Sequence, residues 1–164
     1  MKKRALFLDR DGTINVEKNY VFRVEDFEFR DGIFELTHSY YMRQYLIFVI
    51  TNQAGIARGY YTAADVEVLH TWMREQFRER GIELTGIYYC PHHPGITGPC
   101  TCRKPAPGMI LDAIREYGVD ARRSVLFGDK VSDVQAGMNA GIGTNYLVRE
   151  TGAITRENVT LYKG

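Results

Sequence analysis

Short, unbroken apolar runs alternate along the chain with longer stretches in which apolar positions recur every three to four residues. The runs at 4–8, 46–50, 86–90, 124–127 and 144–148 predict strands. Their near-continuous apolar character is what a parallel sheet covered on both faces demands. The clearest helix runs from Thr62 to about Arg80. Thr62-Ala-Ala-Asp65 resembles a capping box with Asp in place of Glu. Val66, Leu69, Met73 and Phe77 share one face with Trp72 beside them, and Gly81 marks the stop. A second helix begins near Pro107 and ends near Gly118, with Ile110, Leu111 and Ile114 turned inward. A third spans roughly 131–140, and an earlier one, about 33–43, links the first two strands. Strands alternating with helices predict an α/β layered fold with a mainly parallel sheet. The segment 159–162 is left open as a possible further strand.

Composition narrows the partners. Of 164 residues, 45% are apolar and 25% charged, and the formal net charge is +1. That length fits one domain, with a core large enough to need no disulfide staple. A charge near zero without a basic stripe argues against a nucleic-acid partner. No apolar run approaches the ~20 residues that cross a bilayer, so no membrane partner is expected. The start is basic and then apolar, but the apolar run breaks at Asp9, too early for a signal peptide. Cytoplasm is the expected compartment.

In sheets of this kind, ligands gather at the carboxyl ends of the strands. The first strand ends in Asp9-Arg10-Asp11-Gly12-Thr13 and the second in Thr51-Asn52-Gln53. Arg103-Lys104 precedes the second of the helices above that flank the later strands, and the fourth strand ends in Gly128-Asp129-Lys130, with Asp133 following. One Asp or Thr after a strand is commonly a turn or cap residue. Four such ends in succession ask for a shared chemistry, and phosphoryl transfer supplies one. A carboxylate attacks phosphorus to form an aspartyl-phosphate. A hard cation such as Mg²⁺ relieves the repulsion between that carboxylate and a phosphate dianion. A second acid protonates the leaving alcohol and then activates water. A lysine and a hydroxyl steady the transferring oxygens.

Asp9-x-Asp11-Gly12-Thr13, Thr51, Lys104 and Gly128-Asp129-x3-Asp133 resemble the four motifs of the haloacid-dehalogenase-like phosphatases, in the same order across nearly the whole chain. The segments DRDGTINV, TNQAGIARG, IYYCPHHP and CRKPAPGM are similar to the D,D-heptose 1,7-bisphosphate phosphatases of that superfamily, whose nearest relatives are the histidinol-phosphate phosphatases. The resemblance implies a Rossmann-like three-layer sandwich and hydrolysis of a heptose 7-phosphate in the synthesis of activated heptose for lipopolysaccharide core or S-layer glycan. Histidinol phosphate is the alternative substrate. By resemblance, Asp9 is the nucleophile and Asp11 the general acid/base. Asp9, the Asp11 backbone carbonyl and Asp129 hold Mg²⁺, while Thr51 and Lys104 bind the transferring group. Arg103 and Lys130 touch substrate, and Asp133 supports Lys104. Further substrate contacts are expected from Glu17, Lys18, Asn19 and Tyr20 in a flap, and from Asn52, Gln53 and Ala54 beside Thr51. A phosphorylated receiver module uses similar groups, but its acidic pair is adjacent. Here Arg10 separates the two acids, which favours turnover over signalling. Asp9 and Thr51 are only 42 positions apart, and Thr51 and Lys104 are 53 positions apart. Neither interval has room for a separate cap domain, so residues 1–164 are expected to form one domain with an open site, working as a monomer.

The three cysteines lie together in Cys90-x-His92-x7-Cys100-x-Cys102, and all five prolines fall between 91 and 107. Such a segment is neither helix nor central strand, and a loop of this length needs something to hold it. An odd cysteine count argues against a disulfide framework. A tetrahedral Zn²⁺ in a Cys3His site is the expected staple over 90–102, with four protein ligands and no open catalytic position. Three free cysteines are the plainer alternative. The resemblance favours His92 as the fourth ligand, with His93 the competing imidazole. His38 and His70 lie in helical stretches without acidic or cysteine partners and are given surface or packing roles. Arg58 is left between a substrate contact and a solvated arginine.

Overall fold

The computed structural model describes residues 2–164. Each apolar run becomes a strand: β1 (Ala5–Leu8), β2 (Leu46–Asn52), β3 (Gly86–Cys90), β4 (Val125–Gly128) and β5 (Thr144–Val148). All five are parallel, and a short β6 (Val159–Leu161) adds antiparallel to β5. The helices are α1 (Ile33–Met42), α2 (Ala63–Glu79), α3 (Gly108–Tyr117) and α4 (Val131–Asn139). The sheet order is β3-β2-β1-β4-β5-β6. The chain therefore builds outward from β1 to β3, then returns across the sheet to start again at β4. That reversal opens a crevice beyond the carboxyl ends of β1 and β4.

Side chains on successive strand residues point to opposite faces, which divides the core in two. Leu6 and Leu8 pack with Ile33, Leu69, Met73 and Phe77 from α1 and α2. Ala5 and Phe7 pack with Met109, Ile110 and Ala113 of α3 and Val134 and Ala136 of α4. The result is three layers, helices on both faces of the sheet.

Local signals explain the boundaries. Asp65 N–H donates to Thr62 Oγ1 at 3.1 Å and Thr62 N–H to Asp65 Oδ2 at 2.9 Å, so the shorter Asp completes the capping box on α2. α3 stops at Gly118, whose φ of 64° lies in the left-handed region that favours glycine. Its inner stripe differs from expectation. Met109, Ile110 and Ala113 are buried and Ile114 packs against them, whereas Leu111 is 41% exposed. One residue is a 100° turn of the helix, enough to carry Leu111 off the face. β2 runs two residues past its apolar core because Thr51 and Asn52 still pair with Tyr89 and Cys90. The segment left open by the sequence closes the sheet edge through Val148↔Val159 and Tyr146↔Leu161. Ile154 N–H donates to the Asp31 carbonyl at 2.8 Å, tying this tail back to the start of α1.

Candidate active site

Strand ends deliver the site. Asp9 follows β1 directly, and its N–H still donates to Phe127 O of β4 at 3.1 Å, so the strand ladder fixes it. Lys104 reaches in from the loop before α3. Its ammonium lies 2.7 Å from Asp9 Oδ1, 2.5 Å from Asp133 Oδ1 and 3.2 Å from the Ile50 carbonyl. All three side chains are buried. Burial works against the lysine charge, but Asp133 and Asp9 outweigh it and hold its pKa above the usual value. Asp133 is used twice, since its Oδ2 accepts the Lys130 N–H at 3.0 Å where α4 begins. Asn52 fixes the lysine loop from the other side, its Oδ1 accepting the Lys104 N–H at 3.1 Å.

Asp9, Asp129 and Asp133 each place a carboxylate oxygen within 4.8 Å of the others. Burial, then the charge of Asp133, push the Asp9 pKa well up. Burial likewise raises Asp129, to about 6. Asp129 Oδ1 is buried without a hydrogen-bond partner among the described residues. Gly12 makes room for Asp129, since a Cβ on it would come within 2.0 Å of Oδ2. Two of these three crowded acids, Asp9 and Asp133, share the Lys104 ammonium, and one buried oxygen of Asp129 is unmatched. The donors are hard carboxylate oxygens, and that combination fits Mg²⁺.

Two residues on, Asp11 lives in different surroundings. Its side chain is 18% exposed and accepts hydrogen bonds from three residues. Arg10 donates from Nε and Nη2 at 3.2 and 3.0 Å, Asn15 Nδ2 at 3.0 Å, and Gln53 Nε2 at 3.0 Å. Gln53 Nε2 also donates to Thr51 Oγ1 at 2.8 Å, while the Tyr61 hydroxyl donates to Gln53 Oε1 at 2.6 Å and so fixes the amide. Tyr61 fits only because residue 55 is glycine; a Cβ there would lie 2.2 Å from the ring. Burial pushes the Tyr61 hydroxyl up to about 12.

These groups open into a cleft of about 570 Å³. Asp9, Asp11, Thr51 and Lys104 line it, as do Asn52, Gln53 and Ala54. Arg103 and Lys130 also line it, as do Glu17, Asn19 and Tyr20. Asn19 and Tyr20 hold φ of 62° and 61°, a left-handed pair that Glu17 braces by accepting the Asn19 N–H at 2.7 Å. Tyr20 meets the edge of Tyr60 at 4.9 Å. Lys18, expected among the substrate contacts, does not line the cleft. Its ammonium pairs instead with Glu28 at 3.1 Å. Sequence reasoning missed Tyr61 and Ser132, which do line it. It also missed Arg10, whose only local signal was its place between two acids.

The cysteine loop departs from expectation in two ways. Cys90 and Cys102 are joined as a disulfide, their Cα atoms 5.6 Å apart, although an odd cysteine count had argued against one. The end of β3 and the return of the loop to Lys104 bring the two together. Cys100 Sγ lies 3.6 Å from Cys90 Sγ and 3.7 Å from Cys102 Sγ. His92, the expected fourth ligand, does not join the three sulfurs within 4.8 Å. Its carbonyl accepts instead from Arg103 Nη1 at 3.4 Å. The rival His93 is engaged at both ring nitrogens, with Arg58 Nη2 at 3.1 Å and Gly95 N at 3.0 Å. Arg58 thus braces the rim, and it does not line the cleft.

Comparison with known proteins places this arrangement. A family model described as HAD-hydrolase-like matches residues 101–163. The chain is 52% identical over 150 residues to the D-glycero-alpha-D-manno-heptose-1,7-bisphosphate 7-phosphatase of Campylobacter jejuni, covering 92% of this chain and 85% of the relative. It is 45% identical over 158 residues to the beta-named counterpart of Escherichia coli K12, covering 93% and 83%. Among solved structures, the D,D-heptose 1,7-bisphosphate phosphatase of B. bronchiseptica, complexed with magnesium and phosphate, is 31% identical with a TM-score of 0.80, over 88% of this chain and 80% of that one. No helix among the described residues is long and apolar enough to cross a membrane. With the relatives matched along nearly the whole chain, and the four strand-end motifs meeting in one cleft, the protein belongs to the haloacid-dehalogenase-like phosphatases.

Proposed function

We propose that the protein is a Mg²⁺-dependent phosphatase that removes the 7-phosphate of D-glycero-D-manno-heptose 1,7-bisphosphate, leaving heptose 1-phosphate. The observation that carries the reading is the convergence of Asp9, Asp11, Thr51 and Lys104 on one polar cleft. A carboxylate oxygen of Asp9 attacks phosphorus, and the bond from phosphorus to the sugar oxygen breaks. Asp11 gives that oxygen its proton. Water, deprotonated by Asp11, then attacks the aspartyl-phosphate, and phosphate leaves as Asp9 is restored. Thr51 and the Lys104 ammonium hold the transferring oxygens. Asp9, Asp129 and the Asp11 carbonyl would hold Mg²⁺, which supplies positive charge to a site short of it. Asp133 stays with Lys104, because both its oxygens are engaged.

Arg103 and Lys130 are suited to the phosphate that does not react, and Glu17, Asn19 and Tyr20 to sugar hydroxyls. A single domain without a cap fits the chain, since only the short turn Val24–Asp26 interrupts the loop between β1 and α1. We assign the three cysteines, in reduced form, with His92 to a structural Zn²⁺. Sulfurs around a tetrahedral zinc with Zn–S of about 2.3 Å stand about 3.8 Å apart. The two separations to Cys100, 3.6 and 3.7 Å, are close to that edge. A monomer acting in the cytoplasm completes the reading.

The test is a set of initial rates on the α and β anomers of the bisphosphate, histidinol phosphate and 4-nitrophenyl phosphate, with and without Mg²⁺. The reading requires the highest kcat/KM on one bisphosphate anomer and loss of activity without the metal. A preference for histidinol phosphate would transfer the enzyme to the alternative substrate.

A further inference from the structure

Arg10 is the largest side chain fully removed from solvent. A buried guanidinium is costly unless its donors are matched. Nε and Nη2 are matched by Asp11, and Nη2 also donates to the Val21 carbonyl at 2.6 Å. Nη1 is matched by His70, whose Nε2 lies 3.1 Å away. A guanidinium has no lone pair with which to accept. Arg10 is therefore the donor, and His70 Nε2 the acceptor, which puts the imidazole proton on Nδ1. His70 comes from α2, is itself buried, and does not line the cleft. It cannot touch substrate, yet it sits one hydrogen bond behind the group that grips Asp11.

We propose that Arg10 and His70 are positioning residues for the acid/base step. His70 sets the rotation of the guanidinium, and the guanidinium fork sets where the Asp11 carboxylate points relative to the ester oxygen. Without the imidazole acceptor, one buried N–H is unmatched. The guanidinium then turns to find another partner and carries Asp11 with it. This inference rests on the reading of Asp11 as the acid/base.

The consequence depends on the leaving group. A sugar alkoxide needs a proton as its bond to phosphorus breaks, whereas 4-nitrophenolate leaves without one. The parameter kcat/KM reports steps up to and including transfer of the phosphoryl group to Asp9. A displaced acid therefore lowers it for the sugar ester and spares the aryl ester. A displacement of about 1 Å is enough for roughly a 100-fold loss.

The experiment compares kcat/KM on the heptose bisphosphate and on 4-nitrophenyl phosphate for the parent, His70→Leu, His70→Gln, Arg10→Lys and Asp11→Ala. His70→Leu should lose about 10- to 100-fold on the sugar ester, in kcat rather than KM, and little on the aryl ester. His70→Gln keeps an acceptor and should stay near the parent. Arg10→Lys keeps the charge but not the fork and should repeat the His70→Leu pattern, which preserves the test if His70→Leu does not fold. Adding His70→Leu to Asp11→Ala should cost nothing more. Equal losses on both esters, no loss on either, or a further loss in the Asp11→Ala background would overturn the proposal. If Asp11→Ala itself fell equally on both esters, the reading of Asp11 would fail first.

Discussion

Asp9 and Asp11 stand two residues apart and are held in opposite ways. Asp9 is buried among acids, shares one ammonium with Asp133, and has its pKa pushed up. Asp11 is partly exposed and accepts from an arginine fork and two side-chain amides. The backbone places the first, since its N–H is still part of the sheet. Its side chain is left short of positive charge, which is what a metal-assisted nucleophile needs. Gln53, just past the end of β2, and Arg10 and Asn15 in the turn after β1 place the second, because an acid/base group must be aimed at an oxygen and needs no metal ion of its own. One tripeptide thus serves two roles through two kinds of support.

The sharpest way to break this comparison is to neutralise each acid. Asp9→Asn should abolish turnover, by about 10⁴-fold or more, because an amide does not attack phosphorus. The Asn variant should keep its melting temperature, since a neutral group relieves the crowding with Asp129 and Asp133. Normal turnover by a folded Asp9→Asn protein would end the nucleophile assignment. Asp11→Asn should cost less, roughly 10²–10⁴-fold, and more on alkyl than on aryl esters. Steady-state rates on both ester classes check it.

Next in size is the division between Lys104 and Arg103. The lysine meets the group whose charge changes in the transition state, so Lys104→Ala should lower kcat by about 10²–10³-fold on every phosphate ester. Arg103 lines the cleft and has a rigid donor fork suited to a second phosphate. Binding a remote group equally in ground and transition states changes KM more than kcat. Arg103→Ala should therefore raise KM for the bisphosphate and leave a monophosphate almost unaffected. Equal penalties on both substrates would place Arg103 at the reacting phosphate.

The two carboxylates also differ in how far the sequence announced their surroundings. Asp9, Thr51 and Asp129 were legible because each stands at the end of an apolar run, and Lys104 because it lies in the loop just before a helix, where periodicity breaks. The clamp on Asp11 was not, since Arg10 and His70 lie 60 residues apart and their contact depends on how α2 packs. A signal was present. His70 stands four residues after Val66 and three before Met73, on the apolar face of its helix, so burial could have been read and a polar partner sought. Leu111 shows the reverse error, an apolar residue beside the stripe taken for part of it. The cysteines were legible as a cluster, but their pairing was not, because spacing alone does not say which sulfurs meet.

Stripping the cysteine loop should act on the lysine side of the cleft and spare the Asp11 side. Reduced protein should carry about one Zn²⁺ per chain by metal analysis, and Cys100→Ser should lose it. The rate penalty should be modest, about tenfold, because Asp9, Asp133 and the Ile50 carbonyl still hold the Lys104 ammonium. The leaving-group dependence should be unchanged. A zinc-free protein with an intact Cys90–Cys102 disulfide and full activity would remove the metal from the account.

The smallest effect is on stability and belongs to the Asp11 side alone. Burial, then the charge of Arg10, push His70 down from 6.5 to about 3. Arg10 faces it at 3.1 Å, the Tyr89 ring packs at 5.9 Å, and Asp11 and Arg74 also act on its charge. The unfolded chain takes up a proton on this imidazole near pH 6.5, and the folded chain does not until about pH 3. The contribution to stability is therefore fully present above about pH 6.5 and is lost as pH falls toward 3. One proton is worth at most roughly 1.4 kcal/mol per pH unit, or about 3–5 °C of Tm per unit for a chain of this length. His70→Gln keeps the acceptor and cannot be protonated in this range. Its Tm should match the parent within a few degrees above pH 7, then fall more slowly as the pH is lowered from about 6.5 to about 4.5. Calorimetry in half-unit steps measures the difference between the two curves. Parallel curves would mean that His70 is not held neutral against Arg10, and the guanidinium that grips Asp11 would have to be oriented without it.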